Sequence, residues 1–204
     1  MLPFTEFINL ESRSMKLVLF NHLTESKKLN KTDIQKVFPE LDNILVDKDT
    51  PKLEMIIAGS AGMILQGYLN RSTEDIDVIL PIKDYKNIKP HISEIAKEHD
   101  YIDKFLNVPP LFFNRNLLKK FKDYKVYQGN KLDVYSLSPW MIVIMKLRFP
   151  MEEVSEKHLK DSKEILSHFP IPTAQKEIDN LLKTLKRRET NENVKENLQK
   201  IWSK

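Results

Sequence analysis

Two aspartates two residues apart, Asp75 and Asp77, flank Ile76 and lead into the apolar run Val78-Ile79-Leu80. Side chains alternate along a strand, so residues i and i+2 share a face. Two carboxylates side by side on a half-buried sheet repel each other and lose hydration. A divalent cation removes that conflict. Carboxylate oxygens suit the hard ion Mg²⁺, which commonly also takes oxygens from substrate phosphates. Without a cation, such a pair belongs on an exposed edge strand. Upstream, the apolar stretch Leu53–Ala58 leads into Gly59-Ser60. A strand-to-helix turn there offers an anion backbone N–H groups, one hydroxyl and a helix N-terminus. Arg71, in the turn Arg71-Ser72-Thr73, either binds phosphate or braces the turn. Three of the 4 glycines in the chain (Gly59, Gly62 and Gly67) fall in this stretch. Glycine lets backbone approach a ligand closely, although Gly67 equally suits a helix C-cap.

Strand, Gly-Ser, short helix, Arg-Ser-Thr turn and Asp-x-Asp, in that order, resemble the signature of the DNA polymerase beta-like, or minimal, nucleotidyltransferases. The run Arg71-Ser72-Thr73-Glu74-Asp75-Ile76-Asp77 looks most like that of the AbiEii-type bacterial nucleotidyltransferases, many of which are toxins of toxin–antitoxin or phage-defence pairs. The likeness spans about residues 53–165 and is strongest over 56–80. It implies an α/β (α+β) fold, in which a small mixed, twisted sheet is flanked by helices and followed by a C-terminal helical bundle. It implies Mg²⁺ or Mn²⁺ held by Asp75, Asp77 and Asp133, the last being the third strand carboxylate of this superfamily. It implies an NTP substrate, with Gly59, Ser60 and Arg71 against its phosphates. AbiEii-like proteins carry a Lys on one helix and a motif of two basic residues, then Asp-x-x-Asp-Ile, on the next. The matching residues here are Lys146 and the segment Lys157-His158-Leu159-Lys160-Asp161-Ser162-Lys163-Glu164-Ile165. Glu164 replaces the second Asp and Lys157 the usual Arg. By that likeness Lys146 contacts phosphate, and Asp161 orients it or the substrate. By residue type alone, Lys146 is a solvated helix lysine and Asp161 forms an i,i+4 surface pair with Lys157.

The activity so implied moves a nucleoside monophosphate from an NTP to an acceptor hydroxyl. The acceptor is RNA, such as a tRNA 3′ end, or a protein; an antitoxin protein would be the partner of a toxin. Two other functions fit the same residues. One is a non-catalytic module that binds a nucleotide or a partner. The other is a small-molecule nucleotidyltransferase of the antibiotic-modifying type.

These side chains need elements to hold them. The 204 residues suit one large domain or two small ones. The division expected is a nucleotidyltransferase domain over 1–138, including N-terminal helices, and a helical bundle over 139–204. Phe4, Phe7, Ile8, Leu17, Phe20 and Leu23 keep an approximately helical stripe. Thr32 with Gln35 three residues on reads as a capping box for a second helix, which should end near Pro39. Asp84–Asp100 reads as a helix. Val126-Tyr127, the turn Gly129-Asn130 and Lys131–Tyr135 read as a hairpin that carries Asp133. Ser138-Pro139 opens a helix that Pro150 ends. Helices follow over Glu153–His168, from Thr173, and along the tail, where Val194, Leu198, Ile201 and Trp202 recur at helical spacing.

With no cysteine, disulfides and thiolate metal sites are excluded, and a reducing cytoplasm is compatible. His91, His99, His158 and His168 lack zinc-site spacing. A net charge of +4 permits a nucleic-acid or polyphosphate partner without requiring one. The clusters Lys119-Lys120-Phe121-Lys122 and Lys183–Arg188 touch an RNA backbone or are simply wet faces. No basic-then-apolar leader is visible, and apolar runs such as Met141–Met145 are too short to span a bilayer. The expectation is a cytoplasmic protein with no membrane partner.

Overall fold

A computed structural model of the chain describes residues 26–109 and 113–203. In chain order its elements are α1 (Lys31–Asp47), β1 (Leu53–Ala58), α2 (Ser60–Gln66), β2 (Ile76–Ile79), α3 (Ile82–Glu98), β3 (Leu106–Asn107), α4 (Arg115–Lys119), β4 (Lys122–Gln128) and β5 (Leu132–Leu137). They are followed by α5 (Pro139–Leu147), α6 (Glu156–Ser167), α7 (Ile171–Leu185) and α8 (Arg188–Trp202). The five strands form one mixed sheet, ordered β3-β2-β1-β5-β4. The central strand β1 runs antiparallel to β2 and parallel to β5, while β4 and β5 form an antiparallel hairpin. This is the mixed α/β architecture expected, with helices alone after β5. The helical stripe expected over Phe4–Leu23 lies outside the described residues. Among the described residues, no helix is long and apolar enough to cross a membrane.

Local chemistry explains most element boundaries. Asn30, not Thr32, caps α1: its side chain accepts the Asp33 N–H, and the Asp33 carboxylate accepts the Asn30 N–H in return. The helix also runs through Pro39 instead of ending there. An internal proline costs about 3 kcal/mol. Ile34, Val37, Phe38, Leu41 and Leu45 are all buried on one face of α1. Each buried side chain of that size contributes about 1.5–3 kcal/mol, so their stripe outweighs the proline. α3 likewise contains Pro90. The helix expected from Thr173 begins two residues earlier, because Pro172 in its first turn needs no N–H partner. Ser138 caps α5 as expected, its hydroxyl accepting the Met141 N–H.

One buried cluster runs from α1 through the sheet into α5, α7 and α8. α5 packs against α6, α7 and α8. Buried Asn197 of α8 donates to the carbonyls of Leu147 and Phe149, each at 3.0 Å. The Leu147 carbonyl, at the last residue of α5, has no partner within its own helix, so α8 caps that end from outside and also holds the chain just beyond it.

Asp42 performs a similar service for the β4–β5 hairpin. From α1, its carboxylate accepts the Asn130 N–H at 3.0 Å, the Lys131 N–H at 2.8 Å and the Tyr127 hydroxyl at 3.1 Å. Leaving a buried donor unpaired costs about 1–3 kcal/mol. Asp42→Ala is therefore expected to lose ~2–4 kcal/mol in urea unfolding. A change under about 0.5 kcal/mol, the usual range for a surface substitution, would show the hairpin to be held by other means.

Candidate active site

The β1–β2 register sets Asp77 opposite Ala58, beside the turn that leads into α2. At that turn Gly59 has φ 79°, which favours glycine, and a Cβ there would sit 3.1 Å from the Asp77 Oδ2. Gly59 thus leaves room for the carboxylate. Asn107, paired with Asp77 across β2 and β3, donates its amide to Asp77 Oδ1 at 3.2 Å. Thr73 donates its hydroxyl to Asp75 Oδ1 at 3.4 Å. Among the described residues, no lysine, arginine or histidine forms an ion pair with either aspartate. Burial and the neighbouring Asp75 charge push Asp77 up to about 6, against weaker pulls from Asn107, Lys146 and Lys157.

A second cluster forms where the C-terminal helices meet the end of β1. Asp161 of α6 is only 3% exposed at its side chain. Its carboxylate accepts from Arg71 through two bonds, Nε at 3.1 Å and an end nitrogen at 2.8 Å. It also accepts from Lys146 Nζ at 2.8 Å. Ser60 joins this group: its hydroxyl lies 3.2 Å from Asp161 Oδ2, accepts from Arg71 at 2.8 Å and from Lys146 at 3.3 Å. Two cations on one carboxylate leave a net positive charge. Burial alone would raise Asp161, but the hydrogen bonds from Arg71 and Lys146 hold it below the usual carboxylate range. Burial pulls Lys146 down, partly opposed by Asp161.

Asp75 and Asp77 share one cleft of about 320 Å³ with Ser60 and Lys146 of the second cluster; Gly59 and His158 also wall it, with Lys157 and Arg148 in its lining. A hollow of about 410 Å³, reaching Arg71, Lys160 and Asp161, adjoins it at Thr73 and Lys157. Seven of the eight sequence-predicted site residues therefore meet in this region: Asp75, Asp77, Gly59, Ser60, Arg71, Lys146 and Asp161.

Asp133 is the exception, and the structure corrects its expected place. It pairs with Glu54 near the start of β1, while Asp77 lies level with Ala58 at the other end. Four residues of strand separate these levels, about 13 Å at ~3.3 Å per residue. Asp133 is instead held by Lys52 at 3.0 Å. Within the described residues, ligand atoms of three acidic or histidine side chains come within 4.8 Å of one another only at Glu40, Glu98 and His99. That cluster links α1 to the end of α3 and shares no residue with the cleft.

Sequence reasoning missed Asn107, Thr73 and His158. His158 stands three residues before Asp161, but a lone histidine without zinc-site spacing carries no further signal in the sequence. Nothing in the sequence ties Asn107 to Asp77, because their pairing is a long-range register.

Residues 32–166 match the family described as nucleotidyltransferase of unknown function (DUF6036). That is well over half of the chain. The chain belongs to this nucleotidyltransferase family. No curated protein and no solved structure shows a significant match to it. The matched region begins in α1 and ends in α6, so it contains both clusters of the cleft.

Two stability effects follow. Carrying a carboxyl from 3.8 to about 6 costs the folded protein ~3 kcal/mol whenever the group is ionised. The cost is complete above pH 6 and disappears below pH 3.8, where both states are protonated. Asp77→Asn is expected to stabilise the metal-free protein by ~1–3 kcal/mol at pH 8, with the gain shrinking as pH falls through that window. Destabilisation at pH 8 would contradict the strain. Asp161 works in the opposite direction. Its contribution is present above its unfolded value and lost as pH falls through the lower folded one. Asp161→Ala strands Lys146 in a buried setting and is expected to cost ~3–5 kcal/mol at pH 7 by denaturant melting. An unchanged midpoint would show that the cluster carries no net stabilisation.

Proposed function

We propose that this chain is a metal-dependent nucleotidyltransferase that moves a nucleoside monophosphate from an NTP to an acceptor hydroxyl. The observation that carries this reading is the division of charge in one cleft. Two carboxylates that form no ion pair among the described residues share the cleft with Ser60 and Lys146, and Arg71, bonded to Ser60, lines the adjoining hollow. Nucleotidyl transfer needs just these two things, a cation bridging phosphate oxygens and fixed positive charge for the polyphosphate.

The donor set fits Mg²⁺ or Mn²⁺. Asp75 and Asp77 supply hard oxygens, Asp77 is strained without a counter-charge, and Gly59 keeps the space beside it clear. A bound cation would supply neutralisation of the phosphate oxygens. Asn107 and Thr73 fix the carboxylates through their hydrogen bonds. Lys146 and Arg71 draw the triphosphate towards Ser60, and Asp161 holds both cations in place while cancelling only one of their charges. Asp133 has no part in this arrangement.

The finer reading is an AbiEii-type enzyme serving as the toxin of a toxin–antitoxin or phage-defence pair in the cytoplasm, acting on RNA such as a tRNA 3′ end or on a protein. Support for it comes from Lys146 and Asp161, which the AbiEii likeness singled out and which meet here at 2.8 Å. The division at residue 138 gives each part a share of the site. Residues 1–138 supply the carboxylates, and residues 139–204 supply Lys146 and Asp161.

Incubation with each α-labelled NTP, Mg²⁺ and total RNA or total protein tests the reading. Transfer is expected in the wild type and is expected to fall at least ~100-fold, about 2.7 kcal/mol of barrier, in Asp77→Ala. Equal transfer by both proteins would remove the catalytic role of the pair. Tight Mg²⁺–NTP binding by calorimetry with no transfer to any acceptor would make the chain a nucleotide-binding module instead.

A further inference from the structure

Transfer to a hydroxyl leaves one proton to be taken from the acceptor. Among the described residues, the cleft holds few groups able to take it. Asp75 and Asp77 are assigned to the cation. Asp161 is committed to Arg71 and Lys146 and is almost fully buried. On β5, one step beyond the Ile57–Ser136 pair, the residue level with Ala58 is Leu137, apolar and fully buried. A third carboxylate on the neighbouring strand would have to stand there.

His158 lines the same cleft as Asp75 and Asp77 from the first turn of α6. Ser155 caps that turn by accepting the His158 backbone N–H at 3.2 Å, which fixes where the residue sits. The imidazole makes no hydrogen bond to any described residue. Burial, then the Lys146 charge, hold it below its usual pKa, with Arg148 and Lys157 adding to the effect and Asp161 opposing it. The ring is therefore neutral at pH 7 and keeps one nitrogen lone pair for a proton.

We propose that His158 is the general base for the acceptor hydroxyl, standing in for a carboxylate that β5 does not provide. The assignment rests on the nucleotidyltransferase reading of the cleft. The imidazole nitrogen takes the hydroxyl proton as the acceptor oxygen bonds to the α-phosphorus. The bond from that phosphorus to the oxygen bridging to the β-phosphorus breaks, and its electron pair leaves on pyrophosphate. The imidazolium then returns its proton to solvent.

Pyrophosphate release from each NTP with Mg²⁺, using total RNA as the acceptor probe, is measured for wild type, His158→Ala and His158→Gln. Thermal melting of each variant establishes that it is folded. General-base catalysis contributes about 10²–10⁴-fold, so both variants are expected to lose at least ~100-fold in rate. Calorimetric affinity for Mg²⁺–NTP is expected to stay within about threefold of wild type, as for a group that acts only on the reacting proton. Added imidazole is expected to restore part of the rate in His158→Ala and none in His158→Gln, whose side chain fills the space. Release within about threefold of wild type would overturn the base while leaving the nucleotide site intact. A rate loss matched by weakened nucleotide affinity, without imidazole rescue, would overturn it in favour of a binding role. Failure of the wild type to bind Mg²⁺–NTP would overturn the nucleotidyltransferase reading, and this assignment with it.

Discussion

Repulsion between Asp75 and Asp77, which form no ion pair among the described residues, is the constraint around which the cleft is built. Asp77 would be easier to fold as an amide, because burial and its neighbour both oppose its charge. The surroundings keep it in place all the same. Gly59 gives up a Cβ to make room, Asn107 reaches across from β3, and β1 with β2 fixes the carboxylate at one end of the sheet. Strain of this kind persists only where the surrounding structure over-determines it, and it concentrates at sites that bind charge. The chain's membership of a nucleotidyltransferase family is consistent with such a site.

The second cluster solves a different problem with the same element of charge. Arg71 follows α2, Lys146 comes from α5, and Asp161 from α6 ties them together while cancelling one of their two charges. Removing either cation would leave Asp161 buried with one charged partner beside Ser60, and removing Asp161 would leave two cations facing each other. The cluster therefore fixes how the C-terminal helices sit on the end of the sheet. Those helices are part of the site as well as of the core, since α8 in turn caps α5 through Asn197.

What the sequence disclosed depended on range. β1 was legible to the residue, because an apolar run followed by Gly-Ser has few alternatives. The β4–β5 hairpin and the start of α5 were legible from Gly129-Asn130 and Ser138-Pro139, which are local turn and cap chemistry. Pro39 misled, since a proline rule is local and the buried stripe that overrides it is tertiary. Asp133 misled for a deeper reason. Period-2 alternation gives the face of a strand, and Asp133 does share the face of Asp77. It does not give the level at which two strands meet, and the β1–β5 register places Asp133 four residues too low. Lys146 and Asp161 were legible only through family likeness, because nothing local separates a buried helix lysine from a solvated one. The unpaired imidazole of His158 could be seen only once the cleft had walls.

The most direct measurement is the titration of the Asp77 carboxyl by ¹³C NMR, with and without Mg²⁺ and a non-hydrolysable NTP. Without them the expected midpoint is about 6. With them bound it should fall below the ordinary carboxylate value of about 3.9, as an adjacent divalent cation favours the ionised form. A midpoint that is ordinary from the outset, or one that Mg²⁺ and nucleotide leave unmoved, would contradict a cation site at this pair.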